Sequence, residues 1–208
     1  QQATPPDRVE HLLIHRTEHD LFPSRLPEME QIGHAYFDEM SKLLDAIMEI
    51  TAVSLDLPRT YFRQFWKGIK GTSPHNILRI AHYPPKPQGD DDPRRLSYGE
   101  HTDSQGYTLL WQQHDAEGSK ETSLDCVPPK GGLQVKIGDE FVDCPPPPRA
   151  FTVNAGDLIQ CWTNDVLLSN THRVSNPPDG DTTTSRISLV FFTGPHPDTL
   201  VECLETCP

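Results

Sequence analysis

Hydrophobic residues recur at three- and four-residue steps between residues 28 and 56, which predicts one long amphipathic helix. The stripe consists of Met29, Ile32, Tyr36, Met40, Leu43, Ile47, Ile50 and Val53. Leu57-Pro58 ends the helix, and Arg59 to Trp66 predicts a short second one. Residues 1–27 are polar and contain several prolines, which predicts irregular structure. We therefore expect residues 1–75 to form a helical support segment.

After residue 75 the pattern changes to short apolar runs separated by Pro, Gly and Asn/Asp turns. The runs are Ile77–Tyr83, Tyr107–Trp111, Gly132–Ile137, Phe151–Val153, Leu158–Trp162, His172–Val174 and Ile187–Phe192. Short strands with such punctuation predict a β-sandwich or barrel, so the expected fold class is mainly β with flanking helices. We expect a single domain over 1–208 with its β core at 76–195. The polar stretch Gln113–Lys130 predicts a long surface loop.

Composition narrows the possible partners. The chain has 208 residues, of which 35% are hydrophobic and 23% charged, as is typical of globular proteins. The formal net charge of −12 argues against nucleic acid and anionic membrane surfaces, because both attract basic proteins. No apolar run reaches the roughly 18 residues that a membrane span needs, and no signal peptide is visible. A small-molecule partner remains, and we expect a monomer.

The cysteines indicate an intracellular, cytoplasmic protein. Their number is odd and their spacing irregular, at Cys126, Cys144, Cys161, Cys203 and Cys207. A disulfide-framed secreted module would be shorter and denser in cysteine, and a structural zinc ion would need four ligands. We interpret all of these residues as reduced thiols.

Three residues point to a metal site. His101 and Asp103 stand two positions apart at the end of a predicted strand, so an imidazole and a carboxylate share one face. His172 opens a later strand of the same core. A His-x-Asp pair alone is common and does not by itself indicate a metal. Two histidines and one carboxylate on one face form the facial triad typical of non-haem iron(II), with three coordination positions left open.

Arg186 and Ser188 repeat the same-face spacing on the next predicted strand. A planar guanidinium binds a carboxylate through two hydrogen bonds, and a hydroxyl adds another. Arg186 alone would be interpreted as a surface arginine. Together with the triad, the pair predicts a carboxylate-binding site beside the metal.

Short motifs occur in a distinctive order along the chain. They are His101-Thr102-Asp103, Gly131-Gly132-Leu133-Gln134-Val135, Asn154-Ala155-Gly156-Asp157-Leu158, His172-Arg173-Val174 and Arg186-Ile187-Ser188. Together they resemble the isopenicillin N synthase-like branch of the 2-oxoglutarate/iron(II) dioxygenases, over roughly residues 28–195. The resemblance implies a double-stranded β-helix core, a cupin-like jelly roll, with the iron inside its mouth.

The same resemblance implies the cofactors and their binding residues. Arg186 and Ser188 would hold the distal carboxylate of 2-oxoglutarate, and Tyr83 would add a hydrogen bond to that group. Iron(II), 2-oxoglutarate and dioxygen would hydroxylate, desaturate or cyclise a small molecule, with release of succinate and carbon dioxide. A carboxylate or amino-acid derivative of specialised metabolism is the substrate class expected by analogy.

Three features depart from the family pattern. Ala81 stands where many members have asparagine, and Ser104 stands where an aromatic residue often follows the His-x-Asp pair. The usual N-terminal region, with its opening strands and helices, is not found. We expect the sequence to be part of a longer protein.

Four residues are candidates for substrate contact. Arg79 lies four positions before Tyr83 on one predicted strand, so both side chains face the same side. Arg79 would then pair with a substrate carboxylate, although a structural salt bridge or solvent exposure explains it equally well. The other candidates are Trp162, Asn164 and Phe192. Aromatic residues at such spacing more often belong to a core, and this interpretation also stays open.

Two other functions stay open. An oxidase of the isopenicillin N synthase type has the same triad and the same Arg/Ser pair but does not use 2-oxoglutarate, and the release of succinate distinguishes the two. A cupin-like protein that binds a small molecule without turnover is the second alternative. Such a protein would have no need of three open metal positions.

Overall fold

The computed structural model describes residues 5–15, 22–66, 75–90, 92, 94–113, 131–146, 149–177, 183 and 185–207. Within these residues the strands are β1 Glu10–His15, β2 Ile77–Tyr83, β3 Tyr98–His101, β4 Tyr107–Gln112, β5 Gly132–Ile137, β6 Glu140–Asp143, β7 Thr152–Ala155, β8 His172–Ser175 and β9 Arg186–Phe192. The helices are α1 Pro27–Ser54, α2 Arg63–Trp66 and α3 Asp157–Trp162.

Two antiparallel sheets form the β core. The five-stranded sheet has the order β1-β2-β9-β4-β7, and the four-stranded sheet has the order β3-β8-β5-β6. Strands far apart in sequence, such as β2 and β9, are direct neighbours, which is typical of a jelly roll and not of a meander. The predicted mainly β, jelly-roll class is therefore confirmed.

The strand predictions succeed where side chains alternate. The predicted runs Ile77–Tyr83 and Gly132–Ile137 coincide with β2 and β5, and β4, β7, β8 and β9 overlap their predicted runs. Two other predictions are wrong. The run Leu158–Trp162 forms α3 and not a strand, because Ile159 and Trp162, three positions apart, are the residues that it buries. Residues 1–27 contain β1, which pairs with β2 along its whole length.

The long helix is confirmed as α1, but its buried face coincides with the predicted stripe only in part. Met40 is buried, and Met29, Tyr36, Leu43 and Ile47 are partly buried against the core. Ile32, Ile50 and Val53 are 67%, 70% and 59% exposed. The buried residues are Gly33, Phe37, Met40, Leu44, Met48, Thr51 and Ala52. Phe37 packs edge-to-face on Phe191 of β9 at 5.2 Å between ring centres. Contact with the sheet therefore buries Phe37, one position after Tyr36 of the predicted stripe, and leaves Ile32, Ile50 and Val53 exposed.

Alternation along the five-stranded sheet separates two sets of side chains. Leu78, Leu109 and Phe191 are almost fully buried and belong to the hydrophobic core, together with Phe37 of α1. The opposite face carries Arg79, Ala81, Tyr83, Thr108, Arg186, Ser188 and Phe192. One face of the five-stranded sheet therefore packs on the hydrophobic core. The opposite face, which carries most of the polar side chains, faces the four-stranded sheet.

Two further predictions concern the surface and the cysteines. Neither α1 nor any other helix among the described residues is both long and apolar enough to cross a membrane. Cys144, Cys161, Cys203 and Cys207 carry free thiols. Cys126 and the predicted loop beyond Gln113 lie outside the described residues.

Candidate metal centre

His101 and His172 face each other across the β3–β8 pair, with 4.3 Å between their ring centres. Asp103 lies just beyond the end of β3, and its Oδ1 atom is 3.7 Å from His101 Nε2 and 3.8 Å from His172 Nε2. The three possible ligand atoms all lie within 4.8 Å of one another. The structure therefore brings together the residues that the sequence predicted as a triad.

Backbone carbonyls orient both imidazoles. His101 Nδ1 lies 2.8 Å from the Gly99 carbonyl oxygen, and His172 Nδ1 lies 2.9 Å from that of Asn170. A carbonyl only accepts, so each Nδ1 carries the hydrogen and each Nε2 presents a lone pair toward Asp103. Burial lowers the pKa of His101 below its usual value, which favours the neutral form that a metal requires.

The Asp103 carboxylate is buried, and its two oxygens have different surroundings. Oδ2 accepts hydrogen bonds from Thr108 Oγ1 at 2.7 Å and from Asn154 Nδ2 at 2.8 Å. Oδ1 faces the two histidines. Two imidazole nitrogens and one carboxylate oxygen that converge in this way fit the ligand set of non-haem iron(II).

The Asn154–Leu158 motif holds the loop that carries Asp103. The Gly156 amide donates to the Gly106 carbonyl at 2.7 Å, and the Asp157 amide donates to the Asp103 carbonyl at 2.7 Å. A Cβ atom at Gly156 would lie 2.7 Å from that same Asp103 oxygen, so glycine permits this close approach. The motif therefore fixes the position of the ligand loop at the start of α3.

A cavity of about 330 Å³ extends from the triad between the two sheets. Tyr83 lines it, and the Arg186 guanidinium lies 4.7 Å from the centre of the Tyr83 ring. Arg186 Nη1 also donates to Gln112 Oε1 at 3.2 Å. Ser188 lies on the same face of β9 and is 3% exposed. Of the predicted carboxylate-binding residues, Tyr83 thus lines the inner cavity, and Arg186 and Ser188 lie buried on the paired strand β9. Burial raises the pKa of Tyr83.

A second cavity, of about 240 Å³, opens beside His101 and Asp103. Leu13, Ser104 and Gln105 line only this cavity. The residues that line both cavities are Arg79, Tyr98, His101, Asp103 and Phe192. Two of the predicted substrate residues, Arg79 and Phe192, therefore line both cavities.

The chain matches the 2OG-Fe(II) oxygenase superfamily over residues 74–195. It belongs to this superfamily. The superfamily is named for iron(II) and 2-oxoglutarate, and its members are oxidoreductases that use dioxygen. The matched residues include the triad, Arg186 and the residues that line both cavities.

Individual relatives are similar along nearly all of the chain. Gibberellin 20 oxidase 2 of Arabidopsis thaliana is 32% identical over 191 residues, which cover 90% of this chain and 43% of that protein. Gibberellin 2-beta-dioxygenase 4 of the same plant is 32% identical over 197 residues, which cover 90% of this chain and 54% of that protein. The chain thus spans about half the length of the curated relatives it matches.

A solved structure gives the same result for the fold. The crystal structure of a full-length Neurospora crassa protein in complex with alpha-KG and thymine matches with a TM-score of 0.81 and 29% sequence identity. The match covers 98% of this chain and 59% of that chain. The similarity therefore includes the 2OG oxygenase core and leaves a part of the Neurospora crassa protein unmatched.

Two predicted substrate residues do not reach the metal centre. Trp162 is 2% exposed and stacks on Trp66 at 5.7 Å between ring centres. Asn164 lies in the turn after α3 with φ of 47°, where its Oδ1 is 3.9 Å from Cys203 Sγ. Trp162 and Asn164 therefore line neither of the two cavities, because their segment is a helix and a turn and not the predicted strand.

Several contributors to the site were not predicted. Thr108 stands within the apolar strand sequence of β4, where one threonine carries no signal of function. Asn154 belongs to a family motif, but the sequence did not show which residue its amide contacts. Tyr98 precedes the His-x-Asp pair, and its hydroxyl accepts a hydrogen bond from Arg79 Nη1 at 3.2 Å. These roles depend on pairings between strands, which a single sequence does not reveal.

Proposed function

We propose that this chain is the catalytic core of a 2-oxoglutarate- and iron(II)-dependent oxygenase that oxidises a small molecule. The observation that carries the proposal is the convergence of His101 Nε2, Asp103 Oδ1 and His172 Nε2 beside a cavity. Iron(II), when bound there, supplies activation of dioxygen coupled to oxidative decarboxylation of 2-oxoglutarate, for hydroxylation, desaturation or ring closure of the substrate.

Each residue has a separate part in this proposal. His101, Asp103 and His172 hold the metal. Arg186 and Ser188 bind the distal carboxylate of 2-oxoglutarate, since a guanidinium and a hydroxyl stand on one face of β9 beside the inner cavity. Tyr83 lies against the guanidinium and limits where that carboxylate can sit.

We place the substrate in the second cavity, with Arg79 as its anchor. Arg79 Nε is buried and has no hydrogen-bond partner among the described residues. A buried donor of this kind is costly unless a ligand satisfies it. The substrate would therefore carry a carboxylate or another acceptor oxygen, and Phe192 would contact its apolar part. Similarity to the Neurospora crassa protein, which was solved with thymine, supports a substrate of small size.

The remaining expectations about partners belong to the same proposal. The net charge of −12 supports a free small molecule, and not nucleic acid, as the substrate. We propose that the protein acts as a monomer in the cytoplasm, where the cysteine spacing is compatible with reduced thiols.

Anaerobic reconstitution with iron(II) and 2-oxoglutarate, followed by addition of dioxygen, tests the function. The screen adds carboxylic acids, amino acids and pyrimidine bases singly and measures substrate-stimulated release of succinate. The expected result is succinate in proportion to oxidised product. Oxidised product without succinate would instead favour an oxidase of the isopenicillin N synthase type. A chain that binds no iron(II) would contradict the proposal and favour a binding protein.

A further inference from the structure

We infer that Thr108 and Asn154 are positioning residues that restrict Asp103 to metal binding through Oδ1 alone. The inference rests on the proposed metal site and goes beyond it, because it assigns a cause to the number of open coordination positions. It concerns residues that do not touch the metal and act through Asp103.

The two hydrogen bonds fill the accepting capacity of Oδ2. A carboxylate oxygen offers about two lone-pair directions. Thr108 Oγ1 donates to Oδ2 at 2.7 Å and Asn154 Nδ2 donates at 2.8 Å, both short distances typical of bonds to a charged acceptor. A metal ion that approached Oδ2 would have to displace one of these donors inside the protein. Oδ1, which faces His101 and His172, is the oxygen left for the metal.

The donors themselves are held by the sheet. Thr108 and Asn154 are direct partners in the β4–β7 register, so the two side chains stand side by side on neighbouring strands. Thr108 also pairs with Phe192 on the other side of β4, which places it in the interior of the five-stranded sheet. The ligand Asp103 lies outside any strand, and the sheet therefore supplies a rigid template for a loop residue.

The way in which Asp103 binds determines how many coordination positions stay open on the metal. A carboxylate bound through both oxygens would occupy two positions on the metal. With His101 and His172, it would leave two positions of an octahedral ion, whereas a carboxylate bound through one oxygen leaves three. Two oxygens of 2-oxoglutarate and one dioxygen need all three. Thr108 and Asn154 thus preserve the position that dioxygen requires.

Five variants separate this role from a contribution to folding. Thr108→Val and Asn154→Ala remove one donor each, whereas Thr108→Ser keeps the hydroxyl. Thr163→Val is the matched control for the threonine, because Thr163 is fully buried and its Oγ1 donates to Ile159 O at 2.9 Å on α3. Asn76→Ala is the control for the amide, because Asn76 is also buried and accepts from the Gly194 amide at 3.3 Å.

The measurements are Co(II) affinity by calorimetry, the visible absorption spectrum of the Co(II) form, which reports coordination geometry, and melting without metal. We expect Thr108→Val and Asn154→Ala to lose about 10- to 100-fold in Co(II) affinity, as is usual for residues that orient a ligand. Their Co(II) spectra should also change. Thr108→Ser and both controls should keep the affinity and spectrum of the parent chain, whatever their melting temperatures.

Three results would contradict the inference. The first is parental affinity and an unchanged spectrum in both Thr108→Val and Asn154→Ala. The second is an equal loss in the controls, which would indicate a general effect of buried polar deletions. If Thr108→Val does not fold, Asn154→Ala against Asn76→Ala decides alone. The third, failure of the parent chain to bind Co(II), would overturn the proposed function itself, so the two failures are distinguishable.

Discussion

The Arg79 guanidinium lies 4.8 Å from the centre of the Phe192 ring, on the strand next to it in the five-stranded sheet. The Tyr98 hydroxyl accepts a hydrogen bond from its Nη1 at 3.2 Å. A cation held between an aromatic ring and a hydroxyl loses little conformational freedom when a ligand binds. Arg79 is therefore well prepared to receive an acceptor group at the boundary of the two cavities.

Replacement of Arg79 by alanine should weaken binding of the substrate and leave 2-oxoglutarate binding intact. Loss of a hydrogen bond to a charged group raises KM for the substrate by about 10- to 100-fold. Steady-state kinetics on the substrate found by succinate release measures both KM values. Arg59→Ala, which removes an exposed arginine paired with Glu49, is the control. An unchanged substrate KM in Arg79→Ala would leave Arg79 with a structural role only.

Replacement of His172 by alanine should abolish tight metal binding, because one of the three converging ligand atoms is lost. Titration with Mn(II) or Co(II) measures the affinity directly. The matched control is His82→Ala, since His82 is exposed and its Nδ1 lies 3.0 Å from Glu10 Oε2 on the neighbouring strand. Equal losses in the two variants, or parental affinity in His172→Ala, would contradict the assignment of the site.

Replacement of Gly132 by alanine should raise KM for 2-oxoglutarate without a change in metal affinity. A Cβ atom at Gly132 would lie 2.8 Å from Arg186 Nη1 and would displace the guanidinium. Gly138→Ala is a close control, because Gly138 also has positive φ but has no atom within 4 Å of the added Cβ. Gly138→Ala should lose about 1 kcal/mol of stability from backbone strain, and Gly132→Ala about 1–3 kcal/mol, because its φ of 127° lies outside the left-handed helical region. A rise in KM for both would point to strain, and not to Arg186, as its cause.

Replacement of Tyr36 by phenylalanine should stabilise the fold. The Tyr36 hydroxyl is buried without a hydrogen-bond partner among the described residues, so its removal should raise the free energy of unfolding by about 1 kcal/mol. Burial also raises the pKa of Tyr36 to about 12. In the unfolded chain the phenol ionises near its ordinary pKa of 10.0, and in the folded chain at about 12. The free energy of unfolding is therefore unaffected by this ionisation below pH 10.0 and falls as the pH rises toward 12.

Urea unfolding of the parent and Tyr36→Phe on both sides of pH 10 checks both statements. The variant should be more stable at neutral pH, and its advantage should grow as the pH rises. Tyr107→Phe should behave in the opposite way at neutral pH, because the Tyr107 hydroxyl shares a 2.8 Å hydrogen bond with Thr51. A destabilised Tyr36→Phe would indicate that its hydroxyl has a partner.

The sequence could predict the metal ligands because strand geometry makes their convergence simple. Residues two positions apart on a strand share a face, and His101 and His172 needed only adjacent strands to meet, whereas Asp103 lies just beyond the end of β3. Arg79 followed from the same rule, since β2 is regular along its length. The strand predicted at Leu158–Trp162 was wrong because a short apolar run fits a helix as well as a strand, and periodicity alone does not distinguish them.

The buried face of α1 and the support of Asp103 could not be predicted for a different reason. Apolar residues cover more than one stripe of α1, and packing on the sheet decides that Phe37 is fully buried while Tyr36, which also contacts Phe191, is only partly buried. The hydrogen bonds of Thr108 and Asn154 depend on the β4–β7 register, which brings the two residues opposite each other. Tertiary pairing, and not local propensity, decides both features.

The position of β3 at the edge of its sheet has a consequence for local unfolding. β3 pairs with β8, and the register shifts between Tyr98 and His101, so few backbone hydrogen bonds hold it. Such edges open at low free energy. A metal ion bound to His101 and His172 links the two strands and, by mass action, makes this opening rarer. Amide hydrogen exchange in β3 should therefore slow as metal is added, and this strand would report occupancy without any substrate.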